Sequence, residues 1–111
     1  MDNKTANESV KDSVVNAYMG MMVQAALNDI DKLIAETARK GGHHAFIDRA
    51  GSYNSLWHSL FHPDTFWEDA ESGEELHFPV SSYQATIKLR LRDGGYHVEW
   101  ARDSEYILIE W

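Results

Sequence analysis

The chain of 111 residues contains no cysteine. That excludes a disulfide framework, a cysteine-ligated zinc site and a thiol nucleophile. Proline is scarce, with only two residues, Pro63 and Pro79, and no Pro/Gly-rich linker, internal repeat or low-complexity tract interrupts the sequence. Nowhere is there a run of about 18 apolar residues, and the N-terminal stretch "MDNKTANESVKDS" has no apolar h-region. A cytoplasmic location is the expectation that follows. Basic residues are outnumbered, 10 against 18 acidic, for a formal charge of −8. Such a balance opposes direct binding to the nucleic-acid backbone or to an anionic membrane.

What is present is the composition of an ordinary folded protein, 43% hydrophobic and 25% charged, with the length of one domain and one core. A single domain over 1–111 is therefore expected, with residues 1–7 as a loose tail.

From about Glu8 to Lys40 the pattern is helical. Val10, Val14, Ala17, Met21 and Ala25 recur at three- and four-residue steps, and Ile30, Leu33 and Ile34 continue them. Asn7 or Ser9 can cap the start and Gly41-Gly42 supplies a stop. Asn28, followed by Asp29 and Asp31, has the makings of a second N-cap, so either one long helix or two broken near Asn28 is expected. The methionines of "MGMMVQ" (residues 19–24) are assigned to core filling.

Ser52 can cap a helix whose apolar stripe is Tyr53, Leu56, Trp57, Leu60 and Phe61, ended by Pro63. Residues 64–80 admit two readings, a short acidic helix from Asp64 or a hairpin of "TFWED" and "EELHF" turning at Ser72-Gly73. "YQATIKLRLR" alternates strictly, with Tyr83, Ala85, Ile87, Leu89 and Leu91 on one face, and reads as a strand. A Gly94-Gly95 loop would return it with Arg90 opposite Glu99. A turn at Asp103-Ser104 would then pair Trp100 with Ile107 and Val98 with Ile109. The expected fold is α+β, N-terminal helices packed on one face of an antiparallel β-meander of three to five strands. Its core is expected to hold Trp57, Leu60, Ile87, Leu89, Leu91, Val98, Trp100, Ile107 and Ile109, among others.

Chemistry is sparse. No G-x-S-x-G elbow and no phosphate-cradling glycine loop is present. His58 and His62 have the i, i+4 spacing of zinc ligands, but they project away from the helix's apolar stripe and no H-E-x-x-H surrounds them. His43 and His44 are adjacent, and adjacent side chains diverge on an extended chain. No metal, cofactor or catalytic residue is assigned. The basic residues Lys88, Arg90 and Arg92 are read as a solvated face rather than an RNA-binding one.

The remaining signal is charge. Asp64, Glu68, Asp69, Glu71, Glu74 and Glu75 follow one another with no Lys or Arg between them. With Phe66 and Trp67 as aromatic anchors, they form a candidate surface for a protein partner with a basic face, such as a nuclease or another nucleic-acid-binding protein. In size and charge the chain resembles small acidic inhibitors such as immunity proteins and phage-encoded antagonists of host nucleases. That resemblance implies a non-enzymatic antagonist whose carboxylates stand in for phosphates. Separately, "FHPDTFWED" is similar to the loop-strand passage of ketosteroid-isomerase-like and polyketide-cyclase-like proteins. This implies the alternative, a curved sheet enclosing a small-molecule or enzymatic pocket lined by Asp64, Glu68, Asp69 or His77. A third arrangement is a homodimer formed edge to edge through the final strand.

Overall fold

The computed structural model describes residues 3–111, with side chains from Asp12 onward. The expected tail over 1–7 lies outside the described side chains. Three helices and five strands follow in the order α1 (Asn3–Arg39), β1 (His44–Ile47), α2 (Asn54–Phe61), β2 (Phe66–Glu68), β3 (Glu75–His77), α3 (Val80–Asp93), β4 (His97–Ala101) and β5 (Tyr106–Glu110). The fold is α+β. No helix among the described residues is long and apolar enough to cross a membrane.

α1 is one unbroken helix of 37 residues. At about 1.5 Å per residue it accounts for the molecule's long dimension of 57 Å. Asn28 starts no second helix; its side chain instead accepts from Gln24 Nε2 at 3.0 Å, one turn back. The buried stripe is Val23, Ala26, Ile30, Leu33 and Ile34, with Val15, Tyr18, Met19 and Met22 packed beside it. Met21, expected in the stripe, is 71% exposed, and Ala17 and Ala25 also face outward. At about 100° per residue Ala17, Met21 and Ala25 do share one face, but it lies nearly opposite Val23, Ala26, Ile30 and Leu33, and spacing alone does not say which face the rest of the fold covers.

The helix stops where expected. Gly42 N–H donates to Thr37 O and Gly41 N–H to Ala38 O, both at 3.0 Å, with Gly41 at φ 84. This pair of bonds is the Schellman motif, which a left-handed glycine makes accessible.

The main sheet has the order β1-β5-β4, antiparallel throughout. The pairs Trp100↔Ile107 and Val98↔Ile109 occur as the alternation requires. One face carries Ala45, Ile47, Val98, Ile107 and Ile109, all buried, and the helices cover it. The other leaves His44, Phe46, His97, Glu99 and Glu110 exposed. The final strand is central, not an edge, because β1 pairs with it from His44↔Glu110 to Ile47↔Ile107.

The largest departure is α3. Residues 83–92 form a helix, not a strand, so the expected Arg90–Glu99 pairing does not exist; Glu99 Oε1 instead accepts from the Tyr106 hydroxyl at 3.0 Å. That bond and the Glu99 charge hold the Tyr106 hydroxyl above its ordinary pKa. The alternating set contains a helical one. Tyr83, Ile87 and Leu91 stand at i, i+4 and i+8, and with Gln84 they are the residues that α3 buries. Leu89, on the opposite side, is 58% exposed.

Two local features favour the helix. Ala, Gln, Leu, Lys and Arg are strong helix formers, and Arg90 and Arg92 fall in the last turn, where the helix dipole favours cations. "DGGY" is then a helix stop rather than a hairpin loop: Tyr96 N–H donates to Leu91 O at 3.1 Å and Gly95 N–H to Arg92 O at 2.9 Å, with Gly95 at φ 92. Gly95→Ala should lower stability by about 1 kcal/mol, since an alanine pays for left-handed backbone there. Urea denaturation checks this, and an unchanged midpoint would show that the cap contributes nothing.

α2 occupies the expected span, although Tyr53 rather than Ser52 stands at its N-cap and no side chain caps it. Its C-terminal carbonyls are satisfied from α3: the Tyr83 hydroxyl donates to Ser59 O at 3.1 Å and Gln84 Nε2 to Leu60 O at 2.9 Å. Burial, helped by the charge of Asp29, pushes the Tyr83 hydroxyl up to about 12, so it remains a neutral donor at ordinary pH.

Candidate functional site

Residues 64–80 form the hairpin. β2 and β3 pair as Phe66↔His77, Trp67↔Leu76 and Glu68↔Glu75. Alternation divides the six side chains into two faces. Inward, Leu76 is buried and Trp67 half-buried, with Trp67 stacked on Tyr18 of α1 at 4.9 Å between centroids and 22° between planes. Phe78, the next inward residue, is buried against Tyr18 at 5.6 Å and Tyr83 at 5.7 Å. Outward, Phe66 is 63% exposed and stacks on His77 at 5.6 Å, and beside this ring pair stand Glu68 and Glu75.

The sequence itself specifies the turn. The Asp69 carboxylate accepts from the Ser72 hydroxyl at 2.8 Å and from Glu71 N–H at 3.3 Å, while Gly73 N–H donates to Asp69 O at 2.7 Å. The Ser72 bond, then the Glu71 N–H, hold the Asp69 carboxyl below its ordinary pKa. Asp64 acts similarly at the entry, accepting from Phe66 N–H at 3.2 Å. Of the expected surface, then, Asp69 builds the turn and Trp67 fastens the hairpin to α1. Asp64, Phe66, Glu68, Glu71, Glu74 and Glu75 are the members turned to solvent.

Glu68 and Glu75 face each other directly across a two-stranded ribbon, with neither in an ion pair among the described residues. Like charges directly opposite are destabilising by roughly 0.2–1 kcal/mol. The segment from Asp64 to Glu75 itself contains no Lys or Arg.

The histidines lie elsewhere. His58 and His62 project from α2 with ring centroids 5.8 Å apart, and His62 Nε2 is 3.7 Å from Glu105 Oε1. His43 gives its carbonyl to Trp111 N–H at 2.9 Å, extending the sheet. Among the described residues no three His, Asp or Glu side chains come together as a metal ion would require.

Several clefts open on the surface of the described residues. One of about 540 Å³ lies between Arg49, Asn54, Ser55, Trp57 and His58, with Arg49 Cζ 6.0 Å from the Trp57 ring. A second of about 270 Å³ runs between α1 and α2, beside Asp29, Lys32 and Tyr53. A third of about 230 Å³ separates α3 from β4. None of the three contains Asp64, Glu68, Asp69 or His77, the residues that a ketosteroid-isomerase-like pocket would use.

Sequence reading identified the acidic segment but not the opposition of Glu68 and Glu75. That opposition follows from pairing "TFWED" end to end with "EELHF" around the loop 70–73, once the hairpin is chosen over the helix. The third cleft had no sequence signal, because its α3 wall read as a strand. No protein-family model, curated protein or solved structure matches this chain.

Proposed function

We propose that the protein is a small acidic binding protein that occupies a basic surface of a target protein, in the manner of an inhibitor or immunity-type antagonist. A nuclease or another nucleic-acid-binding protein is the target class whose surface chemistry fits, with carboxylates taking the positions of phosphates. The observation that carries this reading is the outward face of the β2–β3 hairpin, where Glu68 opposes Glu75 beside an exposed Phe66. A pairing that costs stability in the free chain becomes favourable when a Lys or Arg is brought between the two carboxylates. The exposed ring supplies the apolar anchor that charge alone lacks. Fixing the hairpin on α1 through Trp67 presents this face already ordered, which reduces the entropy lost on binding.

Stability and binding should therefore move in opposite directions. Glu75→Lys replaces a repulsive cross-strand pair by an attractive one, and should raise the unfolding free energy by about 0.5–1 kcal/mol in denaturant titration. The same substitution should abolish capture of the partner. Pull-down from a lysate of the source organism, with the wild-type chain and Glu75→Lys side by side at low and high salt, tests this. Capture is expected for the wild type at low salt alone. Failure to capture at any salt, or equal capture by Glu75→Lys, would refute the reading.

A further inference from the structure

The cleft between α3 and β4 is lined by Gln84, Ala85, Lys88, Trp100 and Arg102. Its charge runs against that of the molecule: the chain carries −8, yet both charged residues here are cations. Neither Lys88 nor Arg102 forms an ion pair among the described residues. The two cations come from different places, Lys88 from α3 and Arg102 from the turn after β4, and the fold brings them to one cleft with Trp100.

Trp100 adds an independent observation. Its indole N–H is shut off from solvent and has no acceptor in the structure. Buried donors are nearly always paired, so this unpaired one stands out among the side chains that line the cleft. Gln84, buried in the same wall, is held by its bond to Leu60 O at 2.9 Å.

We propose that this cleft binds a small organic anion, a carboxylate borne on a single flat ring. Arg102 offers a planar fork that matches a carboxylate and Lys88 a point charge. The indole of Trp100 offers an aromatic surface against which a ring packs. At about 230 Å³ the space is smaller than the roughly 300–1,000 Å³ of pockets for drug-sized ligands, which restricts the ligand to about one ring. A bare phosphate would engage the cations and leave the aromatic wall unused. A nucleic acid would meet the repulsion of the whole acidic molecule. The inference is independent of the hairpin's role, since none of its residues belongs to the hairpin.

Benzoate is the probe. In a proton–nitrogen correlation spectrum the four tryptophans give separate indole signals, and Trp100→Phe assigns the relevant one. Benzoate should shift the Trp100 signal saturably and leave the Trp67 signal in place. Lys88→Met and Arg102→Gln should each weaken binding by about tenfold, and cyclohexanecarboxylate and inorganic phosphate should both bind more weakly than benzoate. The Lys88→Met/Arg102→Gln double variant changes only residues that reach solvent, and an unchanged signal dispersion shows that it is folded. Absence of a saturable Trp100 shift in the wild type, undiminished binding in the folded double variant, or phosphate binding as tight as benzoate would each overturn the proposal.

Discussion

Trp57→Ala should lower the unfolding free energy by about 4 kcal/mol, within the roughly 3–5 kcal/mol that removal of a buried aromatic costs. Domains of this size are stable by about 5–15 kcal/mol, so the loss is a large fraction of the total. Trp57 fastens α2 to the far end of the sheet. It is buried, its ring lies 5.9 Å from Phe61 and meets His62 edge-on at 5.1 Å, and its indole N–H donates to Glu105 O at 2.8 Å. Glu105 has φ 50, left-handed backbone that a non-glycine residue adopts at a cost. The Trp57 bond thus holds the β4–β5 turn where the turn is strained. Alanine opens a cavity and leaves that carbonyl without its donor. Trp57→Phe keeps most of the volume and removes the donor, so it should cost only about 1–2 kcal/mol. Guanidinium denaturation of the two variants separates packing from the hydrogen bond. A loss below about 1 kcal/mol for Trp57→Ala would mean that α2 does not fasten the turn.

Phe78→Ala should cost about 3–4 kcal/mol, with a consequence beyond stability. The hairpin has only three paired residues on each strand, and an isolated two-stranded hairpin is marginal in water. Its order therefore depends on the inward residues, Trp67 on Tyr18 and Phe78 between Tyr18 and Tyr83. Without Phe78 the backbone amides of residues 65–77 should lose protection from hydrogen exchange ahead of those of β5. Partner capture should fall although every carboxylate is retained. Phe66→Ala is the complementary case: an exposed ring whose loss should change stability by no more than about 0.5 kcal/mol yet weaken capture. Full capture by Phe78→Ala would show that an ordered hairpin is not needed for binding.

The acidic run from Asp64 to Glu75 was visible at once, because charge is a property of composition. Which members face out was not visible, because that depends on a choice between helix and hairpin that the residues alone leave open. Asp69 and Ser72 decide it locally by closing the turn, and Tyr18, some fifty residues earlier in the chain, decides it globally by receiving Trp67.

The α3 segment shows the same division more sharply. Strict alternation over residues 83–92 suits a strand, but every second member of an alternating set also recurs at i+4, so Tyr83, Ile87 and Leu91 satisfy both periods. Only packing distinguishes them: Tyr83 and Gln84 reach the open carbonyls of α2, and a helix places both on that side, whereas a strand would turn one away. Leu89 and Ala85 lose burial as a result.

By itself the sequence determined an α+β chain with an N-terminal helical segment stopped at Gly41-Gly42, a short helix ended by Pro63, and the register of β4 against β5. These rest on local stop signals and on one-sided burial, which neighbouring residues specify. Tertiary structure alone decided that β5 lies between β1 and β4, that residues 83–92 are helical, and that Lys88 and Arg102 share a cleft with Trp100. Each of those depends on contacts between residues far apart in the chain, and a sequence pattern carries no record of which distant surface its apolar face will meet.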